Sequence, residues 1–292
     1  MPKVLANGIE IEFETFGDSA ADPLLLVMGL GGQLIHWHTE FCEQLAAHGH
    51  FVIRYDNRDV GLSTWFDEAG TPDLLPMMKA VRAGEPVDVP YTLADMANDG
   101  MGLLSALSIE RAHICGVSMG GMIVQRMAID HPERVKTMTS IMSTTGNPDL
   151  PPAAPEVMAK LLAPPPRNLE ESIDRAITMS ALVGSPAYPA TETELRETAE
   201  LAFQRAFHPE GTARHLAAIT ADGSREEGLK ALATPSLVIH GRDDALVPFT
   251  SGVATAEAIP GAQSLWIEGM GHDMPRALWD PVIVAIHERA CS

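Results

Sequence analysis

The chain has 292 residues, with 39 Asp and Glu against 20 Lys and Arg, a formal net charge of −19 with histidine neutral. At 46% hydrophobic and 20% charged it fits one large α/β domain or two small ones, and a disordered or membrane-like chain is excluded. The acidity is spread without a Lys/Arg-rich run, which argues against nucleic-acid or anionic-membrane partners, and three scattered cysteines (Cys42, Cys115, Cys291) make no disulfide framework.

Ile9, Ile11 and Phe13 alternate with Glu10, Glu12 and Glu14, the period of a half-exposed antiparallel edge strand. The start therefore reads as a strand rather than a signal peptide, and no apolar run approaches the ~20 residues of a membrane span. A cytoplasmic protein is expected. Short apolar runs at 24–28, 51–55, 112–117, 135–141, 236–240 and 263–267 read as further strands. Helical periods lie between them at 40–47, 93–107, 119–131, 250–258 and 281–290. The last has Asp280 as expected N-cap and Pro281 at its first position. Strands alternating with helices imply a mainly parallel sheet covered on both faces.

Two stretches break that rhythm. Residues 65–90 carry Gly70, Pro72, Pro76, Gly84, Pro86 and Pro90, too much punctuation for a core element, and read as a lid or loop insertion. Residues 147–224 open on a proline-rich segment and continue with helical pieces around 169–182 and 193–207. An excursion this long between two strands reads as a helical cap over a core formed by residues 1–146 and 225–292.

Gly116-Val117-Ser118-Met119-Gly120 follows a strand and opens a helix, the setting of a G-x-S-x-G turn that lifts a nucleophile above a sheet. A hydroxyl at neutral pH needs a base and a group that orients the base. His272 follows the strand 263–267 in Gly269-Met270-Gly271-His272, and the strand 236–240 leads to Asp243 and Asp244. The order Ser, Asp, His matches this fold, and spacing from Gly241 and Pro248 favours Asp244 over Asp243. Ser118, Asp244 and His272 are the candidate catalytic residues. The N–H groups of Met119 and of Leu30, in the turn Gly29-Leu30-Gly31-Gly32, are the candidate oxyanion hole.

That turn lacks the Lys-Ser/Thr tail of a P-loop, and no GxGxxG fingerprint follows a strand. His36, His38, Cys42, His48 and His50 lack metal-ligand spacing, so neither cofactor nor metal is expected. Cys115 reads as a small buried residue, and His113 and His240 as strand residues. Met77, Met78, Met142, Met158, Met179, Leu161, Leu162 and Leu182 are candidates for an adaptable apolar pocket.

The segments LLLVMGLGG (24–32), RYDNRDVGLST (54–64), GVSMGGMIVQRMAIDHPERV (116–135), LVIHGRDDALVP (237–248) and IEGMGH (267–272) together resemble the α/β-hydrolases over nearly the whole chain. The VMG turn and the YDNRDVGLST stretch are most similar to a serine esterase subgroup that includes the aclacinomycin methylesterases. The resemblance implies an α/β-hydrolase fold with about eight strands and cleavage of esters of small, largely apolar molecules through an acyl-enzyme. It departs from the family in Met28-Gly29, where many members have His-Gly, and in Arg58-Asp59, where Arg-Gly is usual. Dehalogenases and epoxide hydrolases of this fold carry Asp at the position of Ser118. Lactone opening, C–C bond hydrolysis, and cofactor-free perhydrolysis or haloperoxidation share the same constellation, as does a small-ligand receptor that reacts slowly. Homo-oligomerisation is left open.

Overall fold

The computed structural model describes residues 2–292. Eight strands form one sheet in the order β1-β2-β4-β3-β5-β6-β7-β8. They are β1 (Lys3–Ala6), β2 (Ile9–Phe16), β3 (Asp22–Val27), β4 (His50–Tyr55), β5 (Ala112–Val117), β6 (Val135–Ile141), β7 (Ser236–Gly241) and β8 (Gln263–Ile267). The first two pair antiparallel and β2 meets β4 antiparallel, while every pairing from β4 through β3 to β8 is parallel. This is the α/β-hydrolase architecture expected from the sequence. One expectation is corrected: β2 is not an edge strand, because β1 covers its outer side. The sequence signal failed there because Lys3–Ala6 is too short to carry a period.

The inner parallel strands β3, β4 and β5 are buried on both faces over most of their length, so neighbouring residues feed different cores. Leu24, Leu26 and Val52 face one cluster with Phe41, Leu45, Val282 and Ile286, whereas Leu25, Val27 and Ile53 face another with Leu103, Ile123 and Met127. Two helices therefore close the first face, α1 (Thr39–Ala47) and, at the chain's end, a helix over Trp279–Ala290. The insertion at 65–90 contains a helix the sequence did not reveal, α2 (Leu74–Arg82), whose Pro76 sits in the first turn, where proline is tolerated. The second face is closed by α3 (Leu93–Ala106) and α4 (Met119–Asp130). Thr92 and Asp95 form a reciprocal capping box that starts α3.

Between β6 and β7 come α5 (Pro155–Leu161), α6 (Leu169–Val183), α7 (Glu192–Arg205), α8 (Glu210–Asp222) and the short α9 (Glu226–Lys230); α10 (Phe249–Ala258) and α11 (Trp279–Ala290) complete the chain. The last helix starts earlier than expected: Leu278 is its N-cap, and Asp280 and Pro281 lie inside the first turn. Among the described residues no helix is long and apolar enough to cross a membrane.

Candidate active site

Ser118 stands between β5 and α4 with φ 55° and ψ −119°, a conformation that costs a non-glycine residue on the order of 1–3 kcal/mol. The neighbouring backbone holds it there. Its N–H donates to Ile141 O (2.9 Å), and its carbonyl accepts from Ser143 Oγ (2.8 Å). The flanking glycines are required by close approach: a Cβ at residue 116 would lie 2.1 Å from Gly120 O, and one at residue 120 would lie 2.1 Å from Val27 O. The G-x-S-x-G spacing is thus the spacing at which backbone passes backbone.

His272 lies on the loop after β8, with Nε2 3.0 Å from Ser118 Oγ. Its Nδ1 is 2.7 Å from Asp244 Oδ2, on the loop after β7. The other oxygen of Asp244 accepts the N–H groups of Leu246 (2.9 Å) and Val247 (2.8 Å). Burial opposes the charge on Asp244, but His272, His240 and the Val247 backbone outweigh it and hold the carboxyl at about 2. The neighbouring Asp243 turns away, exposed, and accepts the N–H of Gly269 (2.9 Å). Of the two acids weighed from the sequence, Asp244 is the one brought to the imidazole.

The turn after β3 passes directly against the serine: a Cβ at residue 29 would lie 3.2 Å from Ser118 Cβ. Leu30 is half-buried next to it, and Met119 is buried at the first turn of α4. Asn57 Nδ2 donates to Met28 O (2.9 Å), and Gly32 N–H closes the turn onto Gly29 O (3.1 Å).

Several side chains around this site were not singled out in the sequence. His215 of α8 accepts the Gly31 N–H at Nδ1 (3.3 Å) and donates from Nε2 to Arg58 O (2.7 Å). Arg205 of α7 joins Gln33 Oε1 (2.8 Å) to Asp56 Oδ2 (2.7 Å), and Asp56 also accepts the Leu34 N–H. His240 lies in β7, one residue before its end, as expected of a strand residue, yet its Nε2 lies 3.3 Å from Asp244 Oδ2 and donates to Val247 O (2.8 Å). The i, i+4 pair His240 and Asp244 at a strand end was a signal that could have been used.

Of the pocket candidates, Met158, Met179 and Leu182 pack with Val157, Val183, Ala245 and Leu246, beside the Asp244 loop. Met142 is buried after β6, and Met77 is buried on α2. Leu161, Leu162 and Met78 are half-buried. Cys115 is fully buried, and burial pushes its thiol up, as expected of a packing residue. Among the described residues no group of three or more His, Cys, Asp or Glu side chains is placed to hold a metal ion.

With an elbow, a histidine loop and an acid loop at the ends of parallel strands, the chain has the organisation of a hydrolase. Residues 22–275 match the alpha/beta hydrolase fold family, and the chain belongs to it. It is 32% identical to the rhodomycin D methylesterase DauP of Streptomyces sp. (strain C5), over 96% of this chain and 95% of that one. It is 31% identical to the rhodomycin D methylesterase DnrP of Streptomyces peucetius, over the whole of both. The esterase resemblance read from the motifs is borne out by these two. Among solved structures, the enol-lactonase from Burkholderia xenovorans LB400 superposes with a TM-score of 0.76 at 23% identity, over 100% of each chain, which shows the shared fold.

Proposed function

We propose that the protein is a carboxylic ester hydrolase that works through an acyl-enzyme on Ser118. The observation that carries this reading is the continuous hydrogen-bonded line from Ser118 Oγ through His272 to Asp244, with both ends fixed by backbone. Ser118 Oγ attacks the ester carbonyl carbon while His272 Nε2 takes its proton. Asp244 holds the imidazole with Nδ1–H toward its carboxylate and stabilises the imidazolium. The N–H groups of Leu30 and Met119 take the oxyanion, where the start of α4 adds positive potential. Collapse breaks the C–O bond, and His272 gives its proton to the departing alcohol. A water deprotonated by His272 then attacks the acyl-Ser118 ester; the acyl–Oγ bond breaks, His272 returns the proton to Ser118 Oγ, and the acid leaves.

The methylesterase relatives support methyl esters of largely apolar molecules as the substrate class. The helices inserted between β6 and β7 act as a cap in this reading, and the Met and Leu side chains of α5 and α6 near the Asp244 loop supply its apolar contact. The test is turnover of p-nitrophenyl esters, methyl esters, lactones and vinylogous diketones beside Ser118→Ala. Multiple turnover of esters, lost in the variant, supports the assignment. Preferred turnover of lactones or diketones would move the reading to lactonase or C–C hydrolase chemistry. Tight binding without turnover would move it to a receptor.

A further inference from the structure

His272 sits on a loop that the core holds at few points: Asp243 N–H donates to Met270 O (3.0 Å), and Gly269 N–H donates to Asp243 Oδ2. A larger set of bonds comes from the end of α6 and the turn after it. His272 N–H donates to Val183 O (2.6 Å), and Ala187 N–H donates to Gly269 O (3.2 Å). Gly271 N–H donates to Ser185 Oγ (2.9 Å), and Asp273 Oδ1 accepts both the Ser185 N–H (3.0 Å) and the Ser185 hydroxyl. Ser185 is 2% exposed, so both capacities of its hydroxyl, donor and acceptor, are spent on the residues either side of His272. The approach is close: a Cβ at residue 271 would lie 2.4 Å from Gly184 O. The same end of α6 carries Leu182 and Val183, which pack on Ala245 and Leu246 next to Asp244.

We propose that Ser185 and Asp273 are positioning residues, a clasp through which the end of α6 sets the place of the His272 imidazole above Ser118. The inference rests on the acyl-transfer reading of Ser118 and His272. Helix α6 then has two jobs: its side chains pack against the acid loop, and its C-terminus aligns the base. Substrate that presses on α6 is felt at the imidazole. A displacement of about 1 Å at a reacting group costs on the order of 100-fold in rate, so a few hydrogen bonds suffice for control. Asp273 also places a carboxylate within electrostatic reach of the ring. Burial raises its pKa above the ordinary carboxylate value, the Ser185 bonds and His272 oppose that rise, and Asp244 adds to it. His272 and Asp244 are the charged groups that act on it.

The experiment compares wild type, Ser185→Ala, Ser185→Thr and Asp273→Asn on a short p-nitrophenyl ester, with Ser118→Ala as the control for the underlying chemistry. Ser185→Ala is expected to lower kcat by roughly 10–100-fold with KM within about 2-fold, and Ser185→Thr to recover most of the loss. Asp273→Asn should move the acid limb of the kcat/KM profile to lower pH, because it removes a negative charge that favours the imidazolium. A merely structural role would lower melting temperature without moving that limb. Wild-type kcat in Ser185→Ala together with an unmoved limb in Asp273→Asn would overturn the clasp. If the wild type showed no turnover, or Ser118→Ala kept it, the hydrolase reading would fail instead. The 15N titration of the His272 ring in wild type and Asp273→Asn still decides the clasp in that case, an unchanged midpoint rejecting it.

Discussion

Asp59 and Arg214 meet in a two-point ion pair, Nε to Oδ2 and Nη2 to Oδ1 at 2.8 Å each, with both side chains buried. Asp59 has φ 66°, the left-handed region in which the Arg-Gly usual here supplies a glycine. This chain places an acid there and occupies it fully: Tyr91 OH and the Phe66 N–H donate to the same carboxylate. The departure noticed in the sequence thus has a partner on α8, which ties the turn after β4 to the helices inserted before β7.

Arg214→Ala should accordingly destabilise the protein by roughly 3–5 kcal/mol, because it leaves a buried carboxylate without its cation. Asp59→Gly combined with Arg214→Met should cost less, since the backbone strain and the unpaired charge both disappear and the remaining cost is the acceptor lost to the Tyr91 hydroxyl and the Phe66 N–H. Denaturant unfolding of the single and double variants checks this, and a double variant as unstable as Arg214→Ala would refute it.

The strained serine makes a second expectation. Ser118→Ala should lose on the order of 10⁴–10⁶ in kcat while keeping its fold. Ser118→Gly should lose as much activity yet melt higher than wild type, because glycine tolerates φ 55° without the side-chain clash. Thermal melts of the two variants beside wild type separate the catalytic loss from the stability gain.

Asp244 gives the pH dependence a defined sign. Its folded pKa is depressed to about 2, so its contribution to stability is present above the ordinary carboxylate value and is lost only as pH falls toward 2. Asp244 therefore stays ionised through the working range and adds no acid limb of its own to kcat/KM. Asp244→Asn should lower kcat by about 10⁴-fold by favouring the wrong imidazole tautomer. A loss under tenfold across pH 5–9 would argue that another group orients His272.

What the sequence reveals and conceals follows from the range of the interactions. Strands 112–117, 135–141 and 263–267 match the structure end to end; the first two are buried on both faces and announce themselves as runs, and the third, half-exposed, is marked by the turns on either side of it. Ser118, Asp244 and His272 were legible because each sits where a strand ends in a turn with constrained backbone. Helix α8 was missed: Glu210–Asp222 buries Gly211, Arg214, His215, Ala217 and Ala218, a face with little hydrophobic contrast. His215 and Gly31 are 184 residues apart, and Ser185 and Asp273 are 88 apart; no local period encodes such pairs.

Burial pushes the pKa of His215 down to about 4, against the Arg58 carbonyl and Asp59, which favour the charged form, and with Arg214 and Arg58 opposing it. Neutral Nδ1 can accept the Gly31 N–H; a protonated ring cannot. A group whose folded pKa lies below its unfolded value of about 6.5 takes up its proton first in the unfolded chain. Stability tied to His215 is therefore complete above about pH 6.5, falls as pH drops toward 4, and levels off below. At about 1.4 kcal/mol per unit the loss amounts to roughly 3 kcal/mol, shared in kind by His50, whose pKa is also pushed to about 4. Unfolding free energies of wild type and His215→Gln at pH 7.5 and pH 4.5 test the sign. Wild type should lose stability on acidification and the variant lose less, whereas parallel losses would assign the acid sensitivity elsewhere.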